Sequence, residues 1–248
     1  MERRRYQVLD AIRGCALISM ILYHACWDLV YMFGMDWLWY RGFAAHVWQQ
    51  SICWTFLLLS GYCFALGRHQ FRRGLTVFSC GALITAVTWL WMPSNLVYCG
   101  VLTLLGASSM LLVPLSLVLE RLPPRAGLAG SFLLFLLFRD VNAGFLGFEG
   151  LRLTALPDGL YRNRLTALLG FPPAGFFSTD YFSLLPWFFL FLTGYFLFRL
   201  RPEEAREIRR VPLAAAMGRH SLLIYMLHQP VIYGALALGR LLLTGGTA

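Results

Sequence analysis

The first apolar stretch of the chain carries four ionisable side chains at positions where lipid favours hydrocarbon. They are Asp10, Arg13, His24 and Asp28. At 100° per residue, all four fall within an arc of about 60° on one helix face. Ionisable residues at the centre of a membrane helix cost about 2.5–3.5 kcal/mol each, so such residues face a bundle interior or a wet cavity. The stripe is either a chemical site or a structural polar network that ties this helix to its neighbours.

The histidine and the arginine of this stripe suit different tasks. Histidine changes charge near neutral pH, so His24 can act as a general base, and Asp28 at the i,i+4 distance can hold its ring in one tautomer. Arg13 precedes His24 by about 16 Å along a helix axis, and arginine suits phosphate. An acyl-CoA, with a phosphorylated head and a thin reactive arm, fits this spacing. We predict catalysis by His24 and Asp28, and cofactor binding by Arg13 and Asp10.

Composition indicates that a membrane holds these residues. Of 248 residues, 58% are hydrophobic and only 13% are charged, whereas soluble domains are nearer one half and one quarter. Several apolar runs approach the roughly 20 residues that a bilayer demands. The sequence predicts an all-α polytopic membrane bundle of about seven to eight transmembrane helices, in a single domain over residues 1–248. The predicted spans cover about 8–33, 47–66, 75–91, 97–119, 126–138, 181–200 and 211–243.

Two further features of the chain shape this expectation. The last predicted span is interrupted by Pro230, because proline breaks helical hydrogen bonding. Residues 139–179 are rich in Gly and Pro, so we expect an external loop, a re-entrant piece or a lid there, and an eighth span is an open alternative.

The charge distribution predicts orientation rather than nucleic-acid binding. The net charge is +9, and every basic residue is an arginine. Most of the arginines fall in segments that share one side, which places the N-terminus in the cytoplasm by the positive-inside rule. We therefore expect a lipid bilayer and no nucleic acid as partner, and a homodimer stays open.

The six cysteines form no Cys-x-x-Cys pair and read as small buried residues, so we expect no metal.

Other polar residues extend the candidate site on both sides of the membrane. Residues expected to bind substrate are Asp180, His228, Gln50 and His46. Residues expected to bind phosphates of the cofactor on the cytoplasmic side are Arg72, Arg73 and His220. The structural alternatives are a helix cap for Asp180, a polar strut between helices for His228, and a role in orientation alone for Arg72 and Arg73.

Several motifs resemble known membrane acyltransferases. The Arg-x10-His spacing in "LDAIRGCALISMILYH" looks like the signature of the acyltransferase-3 group. Most of the chain resembles the bacterial DUF1624 family, which is related to heparan-α-glucosaminide N-acetyltransferase. The matching stretches include "ILYHACWDLVY", "WQQSICWTFLLLSG", "GVLTLLG", "STDYFSLLPWFFLFLTGY" and "GRHSLLIYMLHQPVIY". Heparan-type enzymes typically carry asparagine where this chain has His24 and use a histidine in the link after the first span. That link offers only His46, which is the second candidate for the catalytic histidine.

The resemblance implies an acyltransferase of a bacterial inner membrane. It would move an acyl group, in the first instance acetyl from acetyl-CoA, to an amine or hydroxyl of a sugar or glycan acceptor. His24 would act as general base or as transient acyl carrier. Two alternatives remain: a proton-coupled transporter with a relay through the stripe, and a cytochrome-b-like protein with His24 and His228 as haem ligands.

Overall fold

The structure, a computed structural model, describes residues 6–202 and 212–244. Helices account for 73% of these residues, which confirms the predicted helical class. The chain divides into two compact units. The first consists of Met1–Phe56 together with Glu203–Ala248, and the second of Leu57–Pro202.

Eight α-helices lie in the described part of the chain. In chain order they are α1 Gln7–Trp27, α2 Phe43–Phe64, α3 Gln70–Trp91, α4 Val101–Leu119, α5 Pro124–Leu137, α6 Leu184–Leu200, α7 Pro212–Arg219 and α8 Ser221–Thr244. A π-helical turn, Asp28–Met32, continues α1 directly. The remaining helical segments are short 3-10 turns, at Leu38–Arg41, Pro93–Asn95, Val141–Ala143, Asp158–Tyr161 and Thr166–Leu168.

Among the described residues, five helical segments are long and apolar enough to cross a membrane, so the predicted seven to eight spans are not confirmed. They are Gln7–Met32, Gln70–Trp91, Val101–Leu119, Pro124–Ala143 and Ser221–Leu243. The predicted second and sixth spans both form helices. However, α2 carries His46 and two glutamines near its start, which lower its hydropathy, and the apolar α6 has only 17 residues.

The predicted seventh span is wrong in its point of interruption. Pro230 lies inside the continuous helix α8, and the break occurs at His220, between α7 and α8. A proline inside a helix removes one backbone hydrogen bond and often bends the helix, but helices in membranes tolerate the loss. Val211, the predicted first residue of this span, lies outside the described residues.

Two glycines bring the backbones of α1 and α7 into direct contact in the first unit. A Cβ added to Gly14 would lie 1.8 Å from the carbonyl oxygen of Ala214, and one added to Gly218 would lie 1.8 Å from that of Asp10. The two contacts are one helical turn apart, so α1 and α7 touch over about one turn of each helix. Small residues of this kind allow helices in membranes to pack by van der Waals contact.

The second unit packs its helices in pairs. α3 lies against α4 and α5 against α6. Phenylalanines of α6 dominate the core, with Phe191 and Phe196 almost fully buried beside Leu112 of α4. Because aromatic side chains bury a large area each, they contribute most of the packing between these helices.

A β-hairpin between α5 and α6 departs from the all-α prediction. Strands β1, Phe145–Phe148, and β2, Leu151–Ala155, pair in antiparallel fashion. The two residues that link them, Glu149 and Gly150, both have positive φ angles of 46° and 90°. A two-residue turn with positive φ at both positions matches the right-handed twist of paired strands. The predicted loop over 139–179 therefore contains this hairpin and three of the 3-10 turns.

We expect the Gly14→Ala substitution to destabilise the protein. Its new methyl group would overlap the Ala214 carbonyl, and overpacking of this kind costs about 1–3 kcal/mol. Gly239→Ala in α8 is the matched control, because a Cβ there meets nothing within 4 Å. The melting temperatures of both variants in detergent test this: equal values would contradict close packing of α1 on α7.

Candidate active site

The predicted stripe on α1 separates into two polar groups at different depths. Near its start, the Arg13 guanidinium pairs with the Asp10 carboxylate at 3.1 Å, and both side chains are about four-fifths buried. Near its end, His24 and Asp28 face residues of α8. The stripe therefore contains one charged pair at Arg13 and one polar cluster at His24. Both lie on one continuous helix, as the predicted spacing of about 16 Å between them requires.

The start of α8 adds a further basic residue to the charged end of α1. His220 is exposed and follows Gly218, which touches the carbonyl of Asp10. The contact between α1 and α7 thus brings His220 to the same end of the first unit as Asp10 and Arg13. Binding of one anionic ligand by all three residues stays a prediction.

Asp28 binds a partner that the sequence did not reveal. The carboxylate is fully buried, and its Oδ1 accepts a hydrogen bond of 2.6 Å from Nε2 of Gln229 on α8. Sequence spacing predicted a bond from His24 instead. The structure shows otherwise because the short aspartate side chain meets α8, while the His24 ring lies against a different residue of that helix. The sequence feature that could have indicated Gln229 is its position directly after His228, in "LHQP".

His24 lies in ring contact with His228. The ring centroids are 4.8 Å apart, with the planes inclined by 58°. Nδ1 of His228 lies 2.6 Å from the carbonyl oxygen of Tyr225. A carbonyl oxygen only accepts, so Nδ1 carries the proton, and a neutral ring then presents its lone pair at Nε2. Rings in direct contact leave no room for a haem iron between them in this arrangement.

Aromatic residues from the link after α1 fix the backbone beside His24. The Tyr40 hydroxyl donates a 2.8 Å hydrogen bond to the carbonyl oxygen of Tyr23. Burial raises the pKa of Tyr40, so its hydroxyl retains the proton that it donates. Trp48 of α2 donates from its indole nitrogen to the Ser19 hydroxyl at 2.8 Å, and its ring packs against Tyr23. These contacts hold α1 against the link and α2.

The two outer candidates from the link and α2 lie on one helix. His46 and Gln50 are half-buried on the first turns of α2, one turn apart. Oε1 of Gln50 accepts a 3.3 Å hydrogen bond from the Trp54 indole. Both residues belong to the first unit, as does the cluster around His24.

The remaining candidates belong to the second unit. Asp180 precedes α6, yet its Oδ2 accepts the backbone N–H of Val101 at 3.2 Å, at the start of α4. It therefore caps α4 rather than the helix that follows it, because the strand-like segment around it runs along residues 95–99. Arg72 and Arg73 are exposed on the first turn of α3. A positive side chain is unfavourable at a helix N-terminus, and a bound anion would offset that repulsion.

The cluster of His24, Asp28, His228 and Gln229 can hold and move protons. It brings imidazole rings, a buried carboxylate and an amide into contact between α1 and α8. Within residues 6–202 and 212–244, no group of three or more His, Cys, Asp or Glu side chains could hold a metal ion. Imidazole and carboxylate side chains suit acid–base or nucleophilic chemistry.

A comparison with known families places this cluster in context. The model of the family described as "Heparan-alpha-glucosaminide N-acetyltransferase, catalytic" matches residues 5–230. No curated protein and no solved structure matches the chain. The matched range contains α1 and the first ten residues of α8, and it ends one residue after Gln229. The apolar helices agree with a membrane protein. The chain belongs to the heparan-α-glucosaminide N-acetyltransferase catalytic family and is a membrane protein of N-acetyltransferase-like function.

Proposed function

We propose that this chain transfers an acetyl group from acetyl-CoA, or another acyl group from its CoA ester, to an amine or hydroxyl of a sugar or glycan acceptor. The observation that carries the proposal is the polar cluster around His24, buried between two apolar helices of a chain in this family. Buried ionisable groups within membrane helices are costly, and they mark sites of function.

The donor would enter from the end of the first unit that holds Arg13. Arg13 pairs with Asp10 there, and His220 lies two residues after Gly218, which touches the Asp10 carbonyl. Arg13 lies about 16 Å before His24 along α1. The phosphates would contact Arg13 and His220, and the thioester arm would follow α1 toward His24. Phosphate binding by Arg72 and Arg73 of the second unit stays a prediction from the sequence.

The reaction would follow one of two routes at His24. In direct transfer, the acceptor nitrogen or oxygen attacks the thioester carbonyl, His24 takes its proton, the C–S bond breaks and CoA leaves as the thiol after protonation. In the two-step route, a His24 nitrogen attacks first and carries the acyl group until the acceptor displaces it. Both routes need the thioester beside His24. Acceptor contacts would come from His228 in the cluster, and from Gln50 and His46 of the same unit. Substrate binding by Asp180 stays a prediction from the sequence.

The arginine distribution supports an N-terminus in the cytoplasm, and the resemblance to bacterial proteins supports an inner membrane. CoA esters are cytoplasmic, so this orientation would place Arg13 on the donor side. The acceptor would reach the cluster from the opposite side of the membrane.

We expect His24→Asn to abolish acceptor-dependent release of CoA thiol from acetyl-CoA. Asparagine retains polarity and size but cannot act as base or acyl carrier, and positioned acid–base groups contribute about 10²–10⁴-fold. His69→Asn is the matched control: His69 has the positive φ that asparagine also tolerates, and it lies outside the proposed site. Wild-type release with a glucosaminide acceptor, lost in His24→Asn alone, would support the proposal. Release that survives in His24→Asn would contradict the assigned role of His24.

We expect Arg13→Gln to raise the KM for acetyl-CoA about tenfold or more while kcat changes little. A hydrogen bond to a charged group contributes about 1.5–3 kcal/mol, and Arg13 is expected to contact the donor's phosphates in the ground state and transition state alike. Arg41→Gln is the control, because Arg41 is exposed and pairs loosely with Asp36 at 3.9 Å. A fall in kcat at unchanged KM would contradict phosphate binding by Arg13.

A further inference from the structure

Three buried polar atoms beside His24 have no hydrogen-bond partner among the described residues. They are Oδ2 of Asp28, Oε1 of Gln229 and Nε2 of His228. Asp28 is 0% exposed and His228 is 9% exposed. Leaving a buried polar group unsatisfied costs about 1–3 kcal/mol, and native proteins leave few such groups without a reason. Three in one cluster point to a bound group that completes them.

All three atoms accept hydrogen bonds. An ionised carboxylate only accepts. The Gln229 amide uses its nitrogen on Asp28, which leaves its oxygen free, and the reversed amide would set oxygen against carboxylate. Nδ1 of His228 is committed to the Tyr225 carbonyl, so Nε2 of the neutral ring accepts as well. These three acceptors are complemented by a ligand that carries several hydrogen-bond donors.

The three acceptors belong to residues that are linked to His24 by direct contacts. His228 and Gln229 are neighbours on α8, and Gln229 contacts Asp28 directly. The His24 ring touches that of His228. A donor-rich group bound by these acceptors would therefore lie beside the histidine at which the acyl group is expected.

We propose that Asp28, His228 and Gln229 bind the acceptor nitrogen as a primary ammonium group, and that Nε2 of His228 removes its first proton. This inference rests on the proposed function and assigns residues to its acceptor side. An ammonium group has three N–H donors for the three acceptors. Its positive charge also compensates the buried Asp28 carboxylate, which otherwise has no ion-pair partner among the described residues.

The protons and bonds of this step balance. The ammonium passes one proton to His228 and becomes a free amine with a lone pair. The nitrogen attacks the acetyl carbonyl, and the C–N bond forms as the C–S bond breaks. The nitrogen's second proton passes to His24 and then to the leaving sulfur. The products are the N-acetylated acceptor, CoA thiol and one proton that His228 later releases.

Gln229 acts here as a positioning residue, because it holds the carboxylate and presents its own oxygen to the ammonium. Gln229→Leu removes both contacts at similar side-chain size. We expect the KM for an amine acceptor to rise about tenfold to a hundredfold, from the loss of contacts to a charged group, with the KM for acetyl-CoA unchanged. Gln49→Leu applies the same change on α2 as a control.

The experiment uses the full chain in detergent with two probes that differ at one position, methyl α-glucosaminide and methyl α-glucoside. Wild type should release CoA thiol with the amine and much less with the hydroxyl analogue. Equal rates with both probes, or an acceptor KM that Gln229→Leu leaves unchanged, would overturn the inference while the acyltransferase proposal stands. Absence of both acetyl-CoA binding and thiol release in wild type would instead overturn the proposed function, and this inference with it.

His228→Gln tests the proton transfer separately. The titratable groups in ring contact with His228 are His24 from α1 and Tyr225 from its own helix, and Asp28 bonds to the adjacent Gln229. Without His228, the acceptor must arrive already deprotonated. We expect kcat/KM for methyl α-glucosaminide to fall at neutral pH and to recover as pH rises through the pKa of the free acceptor amine. A loss that does not recover with pH would contradict the role of His228 as base.

Discussion

The hydrogen bond between the Asp28 carboxylate and the Gln229 amide is the contact around which the candidate site is built. Within an apolar layer, a carboxylate has little water to bind, so its partners must come from other helices or from a ligand. The bond therefore fixes the end of α1 to the middle of α8, and with it the placement of His24 against His228. The site depends on two sequence-distant helices meeting at a polar contact.

The packing of α1 on α7 fixes the position of the first turns of α1. Gly14 and Gly218 let the two backbones touch, and α7 leads into α8 through His220. Because α7 and α8 are consecutive, α1 is held at its start by one and at its end by the other. The distance from the phosphate-binding end of the proposed donor site to the reacting histidine is thus the length of α1 between Arg13 and His24. Contacts with α7 and α8 fix this helix near its two ends.

Sequence reasoning identified the elements of the site but not all of their partners. Polar residues in an apolar run are visible in the sequence, and the Arg13–His24 spacing followed from helix geometry. Gln229 was missed because its partner lies 201 residues away, a distance at which periodicity carries no information. Asp180 capped α4 rather than α6 for the same reason. The hairpin at 145–155 was missed because Gly and Pro in that segment suggested only a loop. The predicted span count stays unconfirmed, because five helical segments of the described residues reach the length and hydropathy of a span, while α2 is more polar and α6 is shorter.

The tautomer of His228 is held by a backbone carbonyl rather than by a side chain. Where a carboxylate side chain orients a histidine, replacement of that one residue removes the hydrogen bond that fixes the tautomer. Here any amino acid at position 225 supplies the same oxygen, provided that the helix persists. Natural variation at Tyr225 can therefore reshape the neighbouring pocket while the orientation of the imidazole is inherited unchanged. Relatives could diverge in acceptor preference at this position without first losing their proton-transfer group.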